Sequence, residues 1–312
     1  MISNRLFNKD IISIKDFSKT DFEFIFKSTN KISEIEHEQK IQFGKGRTLG
    51  YIFYEPSTRT RMSFEAAIAS IGGTSIGIAD TRNSSIEKGE SLSDTIKIFD
   101  LYSDLIVLRH SSDGSSRYAA EISDHPVINA GSGSEEHPTQ AMLDLYTIYK
   151  EKNKIDDLNI GIVGDLKYGR TVYSLLFGLA NYKVKVHLIS PPSLAIRKES
   201  IYEIENNVDI HEHESLDKDV ISKLDILYVT RIQKERFPDL QEFEKVKGIF
   251  KIDKKLLKIS KKNLSIMHPL PRIDEISHDI DSTNNAIYFK QAAFGKNLRS
   301  ALLTLILNEK PF

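Results

Sequence analysis

Cysteine is absent from the 312 residues of this chain, and its absence excludes several kinds of chemistry. Disulfide scaffolds, cysteine nucleophiles and zinc sites with cysteine ligands all require a thiol. A chain without cysteine also fits a reducing compartment such as the cytoplasm. Any catalysis must therefore depend on other side chains.

The net charge is close to zero, and long apolar stretches are absent as well. The 43 Lys and Arg residues nearly balance the 44 Asp and Glu residues, so no basic excess attracts nucleic acid or an anionic membrane. No apolar run approaches the ~20 residues of a membrane-spanning helix. The N-terminal segment MISNRLFNKD is charged where a signal peptide would be apolar. We predict a cytoplasmic protein that binds neither nucleic acid nor membrane.

Short apolar runs alternate with helical patterns along the whole chain. At about 150 residues per domain, the length favours two domains, and this alternation is typical of an α/β protein with parallel sheets. The predicted strands are residues 48–54, 104–108, 127–130, 159–163, 184–189, 225–229 and 264–267. The predicted helices are residues 60–71, 138–150, 170–182 and 292–307. The charged segment 151–157 is a candidate hinge between two α/β halves.

Arginine and histidine recur directly after the predicted strands, where parallel sheets bind their ligands. These residues are Arg59, Arg109, His110, His137, Arg170, Arg231, His268 and Arg272. A guanidinium group is a rigid fork that suits phosphate and carboxylate. One such arginine could equally form a surface ion pair, but their recurrence predicts a small polyanion, or two anions together, as the ligand.

The segment from Ser57 to Arg61 predicts a phosphate cradle. Pro56 ends a strand, and Ser57 and Thr58 are residue types that favour a helix N-terminus. A helix N-terminus offers free N–H donors and the positive end of the helix dipole. The alternative is an ordinary capped helix with a salt-bridged arginine.

Three further features favour less specific interpretations or leave them open. The segment GIVGDLKYG at residues 161–169 lacks the G-x-G-x-x-G spacing, so its glycines predict a tight turn rather than a nicotinamide site. His211 and His213 lie in a charged stretch without further ligands, which favours a solvated surface over a metal site. His137, taken alone, is as compatible with a cap or core position as with catalysis.

A series of motifs, in order across almost the full chain, resembles the catalytic chains of aspartate carbamoyltransferases. The motifs are EPSTRTR at 55–61, KGE at 88–90, RH at 109–110, HPTQ at 137–140, GDLKYGRT at 164–171, TRIQKER at 230–236 and HPLPR at 268–272. STRTR and HPTQ are similar to carbamoyltransferases in general, and the last three motifs to the aspartate branch. The ornithine branch typically has a cysteine in the last motif, where this chain has Leu270.

The resemblance implies a two-domain α/β fold in which each domain is a parallel β-sheet flanked by helices. A carbamoyl-phosphate-binding domain would span residues 1–150, with a C-terminal helix within residues 290–312 returning to it. An aspartate-binding domain would span residues 151–289. The implied reaction converts carbamoyl phosphate and L-aspartate to N-carbamoyl-L-aspartate and phosphate, in de novo pyrimidine (UMP) biosynthesis. The resemblance implies no metal and no organic cofactor.

The resemblance also implies roles for individual residues. The phosphate would be held by Ser57, Thr58, Arg59 and Thr60. The carbamoyl oxygen would face Thr60, Arg109 and His137, and losing one donor to the tetrahedral oxyanion typically costs ~3 kcal/mol. The carbamoyl amino group would be held by Gln140 and the backbone around Leu270 and Pro271. Aspartate would be bound by Lys88, Arg170, Arg231 and Gln233. The catalytic residues would be Arg59, Thr60, Lys88, Arg109 and His137.

In this reading the substrate amine attacks directly, so no protein nucleophile is needed. The departing phosphate would accept the amine proton. Holding both substrates in attack geometry can contribute roughly 7–11 kcal/mol.

The resemblance further implies a homotrimer whose active sites are shared between subunits. Lys88 and a preceding serine, for which Ser84 is favoured over Ser85, would come from the neighbouring subunit. Glu55 would bridge the two domains on closure by pairing with Arg170 and Arg236. Whether regulatory chains join the trimer stays open. The alternatives are a related carbamoyltransferase with another amine, and a non-catalytic anion-binding protein with the same fold.

Overall fold

The structure, a computed structural model, describes residues 4–82, 84–134, 136–205, 207–232 and 240–312, without the side chains of residues 240 and 242. The chain forms two compact units. The first unit comprises Met1–Leu143 together with Phe294–Phe312, and the second comprises Asp144–Ala293. The division falls before the predicted boundary at residue 150.

The first unit is built on a four-stranded parallel sheet of order β2-β1-β3-β4. Its strands are β1 (Thr48–Phe53), β2 (Thr74–Ile78), β3 (Leu105–His110) and β4 (Val127–Ser132). Its helices are α1 (Lys19–Glu34), α2 (His37–Lys40), α3 (Thr58–Ser70), α4 (Leu92–Tyr102) and α5 (Ser115–Ile122). Helix α6 (Pro138–Lys152) begins in this unit and runs into the second.

The interior strands of this sheet are apolar because helices cover both of their faces. Ile52, Ile106 and Leu108 are fully buried and pack against Ile96 of α4 and Ala119 of α5. In β3, four buried apolar residues are followed by Arg109 and His110 at the carboxyl end of the strand, where the predicted site residues lie.

The second unit is built on a five-stranded parallel sheet of order β7-β6-β5-β8-β9. Its strands are β5 (Asn159–Val163), β6 (Lys185–Ile189), β7 (Asp209–His213), β8 (Ile226–Val229) and β9 (Ser265–Met267). Its helices are α7 (Arg170–Leu179), α8 (Lys198–Tyr202), α9 (Lys218–Ile221), α10 (Leu240–Val246) and α11 (Lys254–Leu257). Helix α12 (Tyr288–Leu307) begins here and belongs to the first unit from Phe294 onward.

The predicted fold class, α/β with two parallel sheets flanked by helices, is confirmed. All seven predicted strands are present, and strands β2 and β7 are additional. Both additional strands are sheet edges with mostly exposed side chains, so neither shows the apolar run of a buried strand.

His211 and His213, which the sequence predicts on a solvated surface rather than in a metal site, are exposed and half-buried, respectively. Both lie on β7, and the Nε2 atom of His213 is 3.0 Å from Nδ1 of His187 on β6. The ring of His211 stacks on the ring of His187 at 5.1 Å. The sheet brings the three histidines together because the register pairs His187 with His211.

Candidate active site

The turn from β1 into α3 carries the predicted phosphate cradle. Ser57 is the N-cap residue of α3, and its hydroxyl makes no capping hydrogen bond. The first turn of α3 contains no acidic residue, so nothing there offsets the positive end of the helix dipole. Thr58 and Arg59 are exposed, while Thr60 is buried. The helix begins at Thr58, two positions before the predicted start.

Arg109 lies at the end of β3, beside the end of β1. The register pairs it with Phe53, and its backbone carbonyl accepts a hydrogen bond from the Tyr54 amide at 2.9 Å. Its guanidinium donates to the Ala130 carbonyl at 3.1 Å and lies 3.3 Å from the Glu55 carboxylate. These contacts fix the direction of the Arg109 side chain, which is only 13% exposed.

His137 and Gln140 lie at the start of α6, shortly after β4. The His137 carbonyl accepts hydrogen bonds from the amides of Gln140 and Ala141, at 3.0 and 3.2 Å. Both predicted side chains are largely buried. Strands β1, β3 and β4 are adjacent and parallel. The structure therefore brings the α3 N-terminus, Arg109 and His137 to the carboxyl ends of these strands in the first sheet.

A buried arginine that was not identified from the sequence forms hydrogen bonds to the two helices that begin after these strands. Arg299 of α12 donates from Nη1 to the Ser63 hydroxyl of α3 at 2.6 Å and from Nη2 to the Thr139 hydroxyl of α6 at 3.3 Å. Its guanidinium also lies 4.8 Å from the ring centroid of Phe64. An arginine among the leucines of α12 was the available signal.

Ser84 and Lys88 lie on the connection between β2 and α4. Ser84 precedes a short 3-10 helix, Ser85–Lys88, and its hydroxyl donates to the Thr81 carbonyl at 2.5 Å. The Lys88 side chain is exposed at the end of that helix. The predicted entry of these residues into a neighbouring subunit stays a prediction.

Arg170 and Arg231 follow adjacent strands of the second sheet. Arg170 is the first residue of α7, after β5, and Arg231 comes just after β8, which pairs with β5. Arg170 is 8% exposed and Arg231 is half-buried. Gln233 and Arg236 lie outside the described residues.

The turn between β5 and α7 explains the glycines that resemble a dinucleotide motif. Gly164 has φ +121°, and a Cβ there would lie 2.4 Å from the Thr230 carbonyl oxygen. The buried Asp165 carboxylate accepts hydrogen bonds from the amides of Lys167 and Tyr168, at 3.2 and 2.9 Å. The glycine thus lies in a tight turn before α7, as predicted, and it also allows β5 and the end of β8 to approach closely.

Leu270 and Pro271 belong to the turn after β9, the neighbour of β8. The peptide bond between them is cis, and Leu270 has φ +57°. The turn begins at His268, whose amide donates to the side-chain oxygen of Gln291 at 2.9 Å. The second sheet therefore gathers Arg170, Arg231 and the Leu270 turn at the ends of β5, β8 and β9.

Two family models match the chain. The model described as "Aspartate/ornithine carbamoyltransferase, carbamoyl-P binding domain" matches residues 9–150. The model described as "Aspartate/ornithine carbamoyltransferase, Asp/Orn binding domain" matches residues 156–306.

Individual relatives give the same result. The chain is 63% identical over 309 residues to the aspartate carbamoyltransferase catalytic subunit of Nitrosopumilus maritimus (strain SCM1), covering 99% of this chain and 100% of that protein. It is 47% identical to the catalytic subunit of M. jannaschii aspartate transcarbamoylase, with a TM-score of 0.87 and coverage of 95% and 97%. The Trypanosoma cruzi enzyme in complex with carbamoyl phosphate and aspartate superposes with a TM-score of 0.91 at 36% identity, with coverage of 98% and 99%.

These matches confirm the predicted resemblance and the predicted enzyme class, a carbamoyltransferase. The chain belongs to the aspartate/ornithine carbamoyltransferase family.

Proposed function

We propose that this chain transfers the carbamoyl group of carbamoyl phosphate to the amine of L-aspartate. The observation that carries the proposal is the α3 N-terminus, which combines Ser57, Thr58 and Arg59 with a first turn free of acidic residues. That combination suits the dianionic phosphate of the first substrate. The related T. cruzi enzyme, which was crystallised with carbamoyl phosphate and aspartate, supports the choice of substrates.

In the proposed reaction the aspartate amine attacks the carbamoyl carbon. A C–N bond forms, the C–O bond to phosphate breaks, and the amine proton passes to the departing phosphate. Thr60, Arg109 and His137 donate to the oxyanion of the tetrahedral intermediate, where preaimed donors are most effective. Arg109 suits this role because the Ala130 carbonyl holds its side chain. The Glu55 carboxylate, which lies 3.3 Å from Arg109 in this structure, is released to the other two arginines on closure.

We assign the carboxylates of aspartate to Arg170, Arg231, Gln233 and Lys88. Arg170 is buried at a helix N-terminus, so its charge and the helix dipole favour an anion together. The amino group of carbamoyl phosphate is assigned to Gln140 and to the backbone at Leu270 and Pro271. A closing movement in which Glu55 pairs with Arg170 and Arg236 is part of the proposal.

The oligomeric state and the cellular compartment of the enzyme are also part of what we propose. We infer a homotrimer in which Ser84 and Lys88 of one subunit complete the site of the next. We also place the reaction in the cytoplasm, as a step of pyrimidine biosynthesis. Among the residues that the structure describes, no helix is both long and apolar enough to cross a membrane.

Product formation from carbamoyl phosphate, with L-aspartate or L-ornithine in parallel tubes, tests the proposal. We expect carbamoyl aspartate in the first tube alone. Arg59→Met should lower kcat/KM at least about a hundredfold, because a charge-assisted contact to the phosphate is lost. Arg61→Met is the matched control, since Arg61 pairs with Glu65 at 3.6 Å on the same helix. Product with ornithine only would overturn the assignment of the second substrate.

A further inference from the structure

The turn after β9 is closed by two buried side chains of its own. The Leu270 amide donates to Nδ1 of His268 at 2.8 Å, and Nε2 of His268 lies 2.7 Å from Oε1 of Glu275. The other oxygen of Glu275 accepts hydrogen bonds from the amides of Ile273 and Asp274, at 3.1 and 3.2 Å. His268 therefore holds the beginning of the turn, and Glu275 holds its end.

These contacts require a single protonation form of His268. Nδ1 accepts an N–H bond and so carries no proton, which places the ring proton on Nε2, where it is donated to Glu275. Burial alone would raise the pKa of Glu275, but the hydrogen bonds from His268 and the backbone outweigh burial and lower it. Glu275 is therefore a carboxylate that fixes the ring orientation of His268.

Leu270 needs such support because its backbone conformation is unfavourable. Its φ of +57° lies in the left-handed region, which is sterically unfavourable for a residue other than glycine. Strained residues persist where surrounding contacts hold them, and they concentrate at functional sites. The hydrogen bond from the Leu270 amide to His268 is one such contact.

We propose that His268 and Glu275 are positioning residues that aim the backbone of Leu270 at the amino group of carbamoyl phosphate. This inference rests on the proposed function, in which that backbone accepts a hydrogen bond from the amino group. The pair would then give the enzyme its preference for a carbamoyl group over an acyl group of the same size, because an acetyl group carries a methyl where the carbamoyl group carries N–H donors.

Competition binding with carbamoyl phosphate, acetyl phosphate and inorganic phosphate tests the proposal. We expect Glu275→Gln and His268→Asn to weaken carbamoyl phosphate binding about three- to tenfold, the worth of one hydrogen bond. Asparagine at 268 keeps an acceptor for the Leu270 amide but is too short to reach Glu275. Acetyl phosphate and inorganic phosphate should bind both variants about as well as the original chain, because neither donates to Leu270.

Asp225→Asn is the matched control for stability. Its carboxylate pairs with Nζ of Lys261 at 2.6 Å elsewhere in the second unit, so the change should lower stability and leave the preference unchanged. A folded Glu275→Gln or His268→Asn variant with the original preference for carbamoyl phosphate would overturn the inference. If Glu275→Gln does not fold, His268→Asn decides. Failure of the original chain to form carbamoyl aspartate would refute the proposed function instead.

Discussion

Arg299 stabilises the candidate active site through residues that are not themselves proposed to bind substrate. It is 4% exposed and links α3 to α6 through Ser63 and Thr139. The Ser63 hydroxyl in turn donates to the carbonyl of Thr60 at 3.0 Å. The first turns of two helices that carry proposed ligand-binding residues are thus fastened to a third helix.

Replacing Arg299 with methionine should destabilise the first unit. Methionine keeps most of the aliphatic volume but leaves the half-buried hydroxyl of Ser63 and the buried hydroxyl of Thr139 without the guanidinium donor. We expect the free energy of unfolding to fall by about 2–3 kcal/mol, measured by urea denaturation. Arg61→Met, which removes only a helix-surface ion pair, should cost no more than about 0.5 kcal/mol. Equal losses in the two variants would contradict the structural role of Arg299.

At the scale of elements, the edge of the second sheet holds a histidine cluster made of His187, His211 and His213. Burial, with added repulsion from His213 and His211, lowers the pKa of His187 to about 4. The charged groups that face the cluster are Lys223, Asp209 and Asp217. The folded chain therefore favours the neutral ring, whereas the unfolded chain protonates it near its ordinary pKa of about 6.5.

This difference predicts a loss of stability in mild acid. Between about pH 6.5 and 4 the unfolded chain binds the proton more readily, so the contribution of His187 is complete above that window and falls through it. We expect the loss to be about 1–2 kcal/mol, since water at the sheet edge screens part of the effect. His187→Gln should remove that part of the pH dependence in urea denaturation at pH 7.5, 6 and 5.

His37→Gln is the control for this experiment, because His37 is exposed on α2 in the first unit, whereas the cluster lies in the second. It should keep the pH dependence of the original chain. Identical slopes for the original chain and His187→Gln would show that the histidine cluster does not set the acid sensitivity.

The elements differ in how well the sequence predicts them. Strands β3 and β8 were predictable because burial on both faces selects continuous apolar runs. Edge strands β2 and β7 each pair with a single strand, and their side chains are largely exposed, so their sequences resemble those of loops. Helix α1 was overlooked although its signals are present: Ser18 and Asp21 form a capping box, and Phe22, Ile25 and Phe26 are buried on one side.

For the whole molecule, the sequence motifs predicted which residues stand at the strand ends, but not what holds them there. The bonds of Arg299 join residues about 160 or more positions apart along the chain, and no local pattern encodes such pairs. His268 and Glu275 are close along the chain, yet their hydrogen bond depends on a turn conformation that the sequence HPLPR does not reveal.

The proposed shared sites lead to a test with mixed trimers. Lys88→Ala and His137→Ala should each be nearly inactive alone. When the two variants are dissociated, mixed in equal amounts and reassembled, about a quarter of the original activity should return, because a site is intact only where two unaltered contributions meet. Mixing without reassembly is the control. If no activity returns from confirmed mixed trimers, each site must lie within one subunit.

The first unit is assembled from two separated parts of the chain, and this affects the order in which a nascent chain can fold. Residues 144–293 leave the ribosome before any part of Phe294–Phe312 does. The second unit can therefore complete its core while the first still lacks Arg299 and the buried leucines of α12. Domains usually fold in the order of synthesis; here the unit that is begun first is finished last, and its unfinished surface is open to other nascent chains during translation.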